Sequence, residues 1–267
     1  MSGSRGRVSG GTLAGLSVLV VRPLRSPDSF CVELADEGAD VHPLPVMVVK
    51  PLPLTSALRD QLLALPSADK VIAVSANAAT LALRHLAALG VEDCRPVQWF
   101  AVGASSAEPL LDAGLSVSYP EDDPSSEGLL ALSPLQEVAG QRIVILRGEG
   151  GKDVLRQGLE RRGARVSYCE MYRREQTLDN QPHILRLLAT GAVDVVVAHS
   201  AEVLRCFLAL PGLATPPALS RLTALVTSVP AALMAQQAGF GRVVRADSAM
   251  PGSMVEALRC WYTQSDK

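Results

Sequence analysis

The chain carries one pattern twice. Shifting the sequence by about 125 positions lays a long series of features over one another with a single inserted residue, and self-similarity of this kind restricts the fold before any other property does. "GLSVLVVRP", starting at Gly15, lies over "GQRIVILRG", starting at Gly140. Arg22 meets Arg147, Leu34 meets Leu159, Gly38-Ala39 meets Gly163-Ala164, and Val41 meets Val166. Farther on, Asp69 meets Asp194, Ser75-Ala76 meets Ser200-Ala201, and Gly114 meets Gly239. Each copy runs through a short apolar stretch, a polar or glycine-containing turn, a helix-period stretch, a glycine and another apolar stretch. That is the β-turn-α-turn-β rhythm of a parallel sheet. Apolar runs without alternation are strands buried on both faces. Gly38, Gly163, Gly90, Gly114 and Gly239 stand where a glycine ends a helix. The fold class is α/β, two small doubly wound units, and the repeat by itself implies that they follow one another in tandem.

Composition narrows the partners. A chain of 267 residues is long enough for two domains, each with a core of its own. Its 25 Lys+Arg face 27 Asp+Glu, and aromatics make up 4%, so it lacks both the basic excess and the stacking surface of a nucleic-acid binder. Small molecules are the expected partners, with no nucleic acid. Cys31, Cys94, Cys169, Cys206 and Cys260 are scattered and never form a C-x-x-C pair, which argues for neither a disulfide framework nor a zinc site and fits a reducing cytoplasm. His42, His85, His183 and His199 show no metal-ligand spacing, and no metal is expected. The apolar run from Leu16 to Val21 is too short to span a bilayer and reads as a buried strand, so no membrane association is expected. Residues 1–14, rich in Ser, Gly and Arg at their start, read as a disordered leader.

In parallel α/β sheets, ligands bind beyond the carboxyl ends of the strands. The residues expected there are Arg22, Ser75-Ala76-Asn77 and Gly103-Ala104-Ser105-Ser106 in the first copy. In the second they are Arg147-Gly148, Ser200-Ala201-Glu202 and Thr227-Ser228. Small, hydroxylated and glycine residues suit oxyanions held by backbone N–H groups at helix N-termini. Any single Ser or Thr among them serves equally well as a helix N-cap. The glycine-rich "LRGEGGK", from Leu146 to Lys152, fails the P-loop pattern because Asp153 follows Lys152, and it fails the dinucleotide pattern because Gly would be needed at 153. With Arg147 and Lys152 beside it, this turn suits one or two carboxylates or phosphates. Tyr172, next to Arg173 and Arg174, either packs on a connector or donates a proton to a leaving group. The proline-rich stretch from Val41 to Thr55 and its counterpart from Val166 to Leu178 read as extended connectors between two lobes, and so as a hinge.

These residues together resemble the uroporphyrinogen-III synthase family over nearly the whole chain from Leu16. The likeness is carried by "VLVVRP", "EGADVHPLPVM", "VIAVSANAA", "FAVGASSAEPLLDAG" and, most specifically, "ILRGEGGKDVLRQGLERRGARVSYCEMYRRE". One departure is "VTSVPAA" at 226–232, where the family often shows Gly-x-x-Thr-Ala. The resemblance implies two flavodoxin-like domains, parallel sheets flanked by helices, joined by a two-stranded connector with a ligand cleft between them. Domain 1 would comprise residues 15–41 plus 176–264 and domain 2 residues 55–165, with 42–54 and 166–175 as hinge connectors. It also implies cyclisation of hydroxymethylbilane to uroporphyrinogen III, with loss of water and inversion of ring D, by a cytoplasmic monomer without a cofactor. Tyr172 would assist departure of the hydroxyl. Arg22, Ser75, Ala76, Asn77, Gly103, Ser105, Ser106, Arg147, Gly148, Lys152, Ser200, Ala201, Thr227 and Ser228 would hold the carboxylates. The competing class is a two-lobed, non-enzymatic small-anion binding protein.

Overall fold

The computed structural model of the chain describes residues 11–24, 28–91, 97–213 and 219–265. Cys94 and the first ten residues of the expected leader lie outside them. In chain order the elements are β1 (Ser17–Val20), α1 (Ser29–Asp36), β2 (Asp40–Pro43), β3 (Met47–Pro51), α2 (Ser56–Leu63), β4 (Lys70–Ala73) and α3 (Ala76–Ala88). There follow β5 (Gln98–Ala101), α4 (Ala104–Asp112), β6 (Val117–Ser118), α5 (Ser126–Ala131), β7 (Arg142–Gly148), α6 (Val154–Arg161) and β8 (Arg165–Gln176). The last are α7 (Gln181–Thr190), β9 (Val195–Ala198), α8 (Ala201–Leu208), β10 (Thr223–Val226), α9 (Val229–Gln237), β11 (Arg242–Arg245) and α10 (Pro251–Ser265).

The chain divides into two compact units, Val49–Arg174 and the remainder, Met1–Val48 with Glu175–Lys267. The remainder holds a parallel five-stranded sheet in the order β2-β1-β9-β10-β11, the doubly wound order. The inner unit holds β8-β7-β4-β5-β6 in parallel, with β3 added beside β8. The backbone hydrogen bonds Leu52 N to Met171 O and Thr177 N to Val46 O, each 2.9–3.0 Å, make β3 and β8 antiparallel.

The units are not the two sequence copies. The β1-α1-β2 segment of copy one shares a sheet with β9, β10 and β11 of copy two, while the matching β7-α6-β8 segment of copy two shares a sheet with β4, β5 and β6 of copy one. The copies have exchanged halves. The exchange keeps the register of the repeat: Val18 pairs with Val195 in one unit, and their counterparts Ile143 and Lys70 pair in the other. A tandem arrangement, the simplest reading of the repeat, is therefore corrected.

Both faces of each sheet are buried, which explains the unbroken apolar strands. Val18 and Val20 join Phe30, Leu34, Met254 and Leu258 on one side of their sheet, while Leu19 joins Val196, Leu204 and Phe207 on the other. In the inner unit Ile143 and Ile145 pack with Phe100, Leu155 and Leu159, and Leu146 packs with Val71, Trp99 and Met171 on the opposite face. Each fully buried Leu, Ile or Phe contributes about 1.5–3 kcal/mol, so these two-sided cores carry the fold. Helix α1 and its copy α6 are followed by Gly38 at φ 88° and Gly163 at φ 83°, left-handed conformations that favour glycine.

Two boundaries differ from expectation. Residues 11–14 belong to the folded body: Leu13 is fully buried beside Leu16 and Met254, and its N–H donates to Glu37 O at 2.9 Å. A single leucine amid glycine and threonine gives no periodic signal, yet it fills a core position. The expected connector 166–175 lies within a twelve-residue strand that pairs with β7. Among the described residues, no helix is long and apolar enough to cross a membrane.

Candidate active site

In the inner unit the ends of β4 and β7 meet at Tyr172. Ser75 follows β4 in extended conformation and caps α3, its Oγ accepting from Ala78 N at 3.2 Å. The same Oγ lies 3.1 Å from the Tyr172 hydroxyl. The Tyr172 ring is buried among Ala73, Ala78, Cys169 and Met171. Ala76 and exposed Asn77 form the first turn of α3. After β5, Gly103 precedes α4 in extended conformation, and a Cβ there would meet Pro124 at 2.7 Å. Ser105 is exposed and Ser106 is buried.

Beyond β7 stands a charged network that the sequence reading did not foresee. Arg147 is buried, with its Nη1 3.4 Å from Asp153 Oδ1, its Nε 3.9 Å from Glu170 and its guanidinium 4.2 Å over the Tyr168 ring. The Tyr168 hydroxyl donates to Asp153 at 2.7 Å. That hydrogen bond, and then Arg147, hold the Asp153 carboxyl below its usual range. Burial, and then Asp153, push the Tyr168 phenol up. The charge of Arg147 is thus shared among carboxylates of its own unit, while Lys152 stands exposed on the turn.

The other unit repeats the arrangement with differences. Arg22 follows β1 and donates to Asp28 Oδ1 at 2.6 Å and to Pro23 O at 3.0 Å. Asp28 also caps α1 through Cys31 N, and burial, with Asp28 next, pushes the Cys31 thiol up to about 12. Ser200 caps α8 through Val203 N at 3.2 Å, with Ala201 as the first helical residue. Thr227 Oγ1 donates to His199 O at 2.8 Å, and Ser228 caps α9 through Ala231 N at 3.4 Å.

Ser75, Ser200 and Ser228 are therefore N-caps, as the plainer reading allowed. A capping oxygen accepts from the helix and keeps its own proton to donate, so capping and anion binding are compatible. A signal for the missed network was present. Arg22 and Asp28 correspond through the repeat to Arg147 and Asp153, so an arginine six residues before a helix-starting aspartate occurs in both copies. A cavity of ≈ 660 Å³ lined by Gln61, Arg142, Glu160, Arg165 and Tyr168 lies along the amino-terminal parts of β7 and β8. Its position, away from the carboxyl ends, separates it from Ser75 and Gly103. Among the described residues, no three His, Cys, Asp or Glu side chains gather to hold a metal.

A family model described as Uroporphyrinogen-III synthase HemD matches residues 28–256. The uroporphyrinogen-III synthase of Escherichia coli (strain K12) is 30% identical over 246 residues, 91% of this chain and 100% of that one. That of Proteus mirabilis is 32% identical over 160 residues, 60% of this chain and 80% of that one. Among solved structures, a mutant uroporphyrinogen III synthase from the extremely thermophilic bacterium Thermus thermophilus aligns with a TM-score of 0.61 at 22% identity, covering 94% of this chain and 100% of that one. The uroporphyrinogen-III synthetase of Helicobacter pylori 26695 aligns with a TM-score of 0.58 at 17% identity, covering 91% and 98%. These two likenesses show a shared fold.

Proposed function

Since the chain belongs to the uroporphyrinogen-III synthase family, enzymes of haem biosynthesis, we propose that it cyclises hydroxymethylbilane to uroporphyrinogen III. The observation that carries this reading is that the chain spans the full length of the E. coli relative at 30% identity. The reaction is a cyclising loss of water that needs no cofactor. The substrate sheds its terminal hydroxyl to give an azafulvene cation, and ring D inverts through a spiro intermediate before the macrocycle closes. The protein's task is mainly to fold a flexible chain and select the carbon that is attacked, a matter of proximity and orientation.

The site fits that task. Each unit by itself offers the same kind of group to carboxylates such as the acetates and propionates of this substrate: backbone N–H groups at the N-termini of α3 and α4 in the inner unit, and in the other unit those of α8 and α9 with the hydroxyl protons of Ser200 and Ser228. Ala76, Asn77, Gly103, Ser105, Ser106, Ala201 and Thr227 line the same strand ends, and Gly148 and Lys152 flank Arg147. Tyr172 is the proton donor to the departing hydroxyl, and Ser75, 3.1 Å away, gives its own proton to the phenol oxygen and leaves the phenol proton for the substrate. Arg22 and Arg147 set the positive potential of the two first-strand ends, each tempered by its aspartate. We read the enzyme as a monomer and as cytoplasmic, the thiols of Cys31, Cys169, Cys206 and Cys260 suiting a reducing compartment.

The test is to supply freshly generated hydroxymethylbilane and identify the isomer formed. Isomer III is expected, and isomer I alone, the spontaneous product, would overturn the assignment. Tyr172→Phe should slow turnover by about a hundredfold, the lower end for a general acid whose leaving group departs readily. Unchanged turnover would remove its catalytic role.

A further inference from the structure

We propose that Gly148 is a positioning residue, whose missing side chain sets the Tyr172 hydroxyl on Ser75. The inference rests on the reading of Tyr172 as the proton donor. Strand β8 carries an irregularity opposite the end of β7: Arg147 pairs with Glu170, but Gly148 pairs with Tyr172, so Met171 is an extra residue. In a regular strand, neighbours point to opposite faces. After this bulge Met171 and Tyr172 are both buried in one apolar cluster, the one that holds Ala73 and Ala78 on either side of Ser75. The bulge therefore turns the phenol toward the end of β4.

The same shift lays the tyrosine ring over Gly148. A Cβ built at 148 would stand 2.6 Å from Cε2, 2.7 Å from Cζ and 3.1 Å from Cδ2 of Tyr172. Gly148 is not among the glycines with positive φ, so its backbone would accept another residue and the requirement is one of space alone. Nor is the backbone free to yield. Glu149 N donates to Tyr172 O at 2.7 Å, which fastens the end of β7 to β8 at this point, and the Gly148 carbonyl accepts from Arg147 Nε at 3.1 Å within β7. A methyl group at 148 would push the ring away by roughly 1 Å to reach ordinary carbon contact. The atom under greatest pressure besides Cε2 is Cζ, which bears the hydroxyl. That displacement is enough to separate the hydroxyl from Ser75. Gly151 differs: its φ of 104° lies in the left-handed region that favours glycine, so a side chain there is strained before its Cβ meets Arg147 Nη2 at 2.9 Å.

The experiment is a double-mutant comparison on the full chain with hydroxymethylbilane as substrate, reading kcat and KM separately. Gly148→Ala is expected to lower kcat by about tenfold to a hundredfold, the range a 1 Å misplacement brings, with KM changed less than about twofold. In the Tyr172→Phe background the same substitution should lower kcat no further. If Tyr172→Phe slows the reaction and Gly148→Ala does not, the positioning role is refuted and the tyrosine reading stands. If Gly148→Ala is equally harmful in both backgrounds, Gly148 acts on general structure and the inference also fails. Full activity of Tyr172→Phe would instead remove the tyrosine reading itself. Should alanine at 148 prevent folding, Gly148→Ala/Tyr172→Leu tests the contact directly. The shorter side chain should restore a folded protein, and failure to restore it would overturn the proposal.

Discussion

Ser75 holds two partners where an ordinary helix cap holds one, and this makes a measurable difference in stability. Ser125 is a fair control, since it caps α5 in the same unit through Gly128 N at 3.0 Å. Ser125→Ala should cost about 1 kcal/mol, the usual value of a lost N-cap. Ser75→Ala loses the same kind of cap and also leaves the Tyr172 hydroxyl without Ser75 in a buried position. The lost hydrogen bond adds about 1 kcal/mol and the stranded hydroxyl a further fraction, so the total is about 2–3 kcal/mol. In the Tyr172→Phe background the cost of Ser75→Ala should fall back to about 1 kcal/mol, giving a coupling of about 1 kcal/mol or more between the two positions. The assay is urea unfolding followed by tryptophan fluorescence. The chain has 2 Trp, Trp99 within the inner unit and Trp261 outside it, so Trp261→Phe leaves Trp99 as the reporter of the unit that contains Ser75, Ser125 and Tyr172. Equal costs at 75 and 125, or an excess at 75 that survives Tyr172→Phe, would refute the hydrogen bond and with it the placement of the phenol.

Two further outcomes bear on other parts of the molecule. Leu13→Ala should destabilise the unit containing β1 by about 3 kcal/mol, as expected for a fully buried leucine, seen as a lower urea midpoint in the fluorescence of Trp261, which packs against the same cluster; a shift too small to measure would mean that the segment does not fill the core. Asp153→Asn tests the network around Arg147 through pH. The Asp153 carboxyl is held low in the fold, so its contribution is present above the unfolded carboxylate pKa, about 4, and is lost as pH falls through the folded value. The gap between wild type and variant should be constant from about pH 8 to pH 5 and close below about pH 4, whereas a gap that persists unchanged in acid would rule the network out.

Much of this architecture was legible in local pattern. Two-sided burial forces unbroken apolar strands, and left-handed helix ends favour glycine, so Val18 to Val21 and Gly38 announce themselves, and their counterparts 125 residues later confirm the repeat. The Ser and Thr at the strand ends were visible for the same reason, because capping is a matter of a few consecutive residues. What the amino-acid sequence by itself determined, then, is the unit of structure and the register in which such units pair. It did not determine which half pairs with which. Val18 would find an apolar, two-sided strand in either copy, Lys70–Ala73 or Val195–Ala198, and only the passage of the chain through β3 and β8 assigns it to Val195. Nor did it reveal the Ser75–Tyr172 pair, since those residues stand 97 positions apart and meet only because the exchange puts β4 and β8 in one sheet. The glycines of "LRGEGGK" show the same division. Their presence was plain from the start, and Gly150 and Gly151 take left-handed backbone that a turn requires, but at Gly148 a side chain would meet the Tyr172 ring, and space between side chains exists only once the chain has packed.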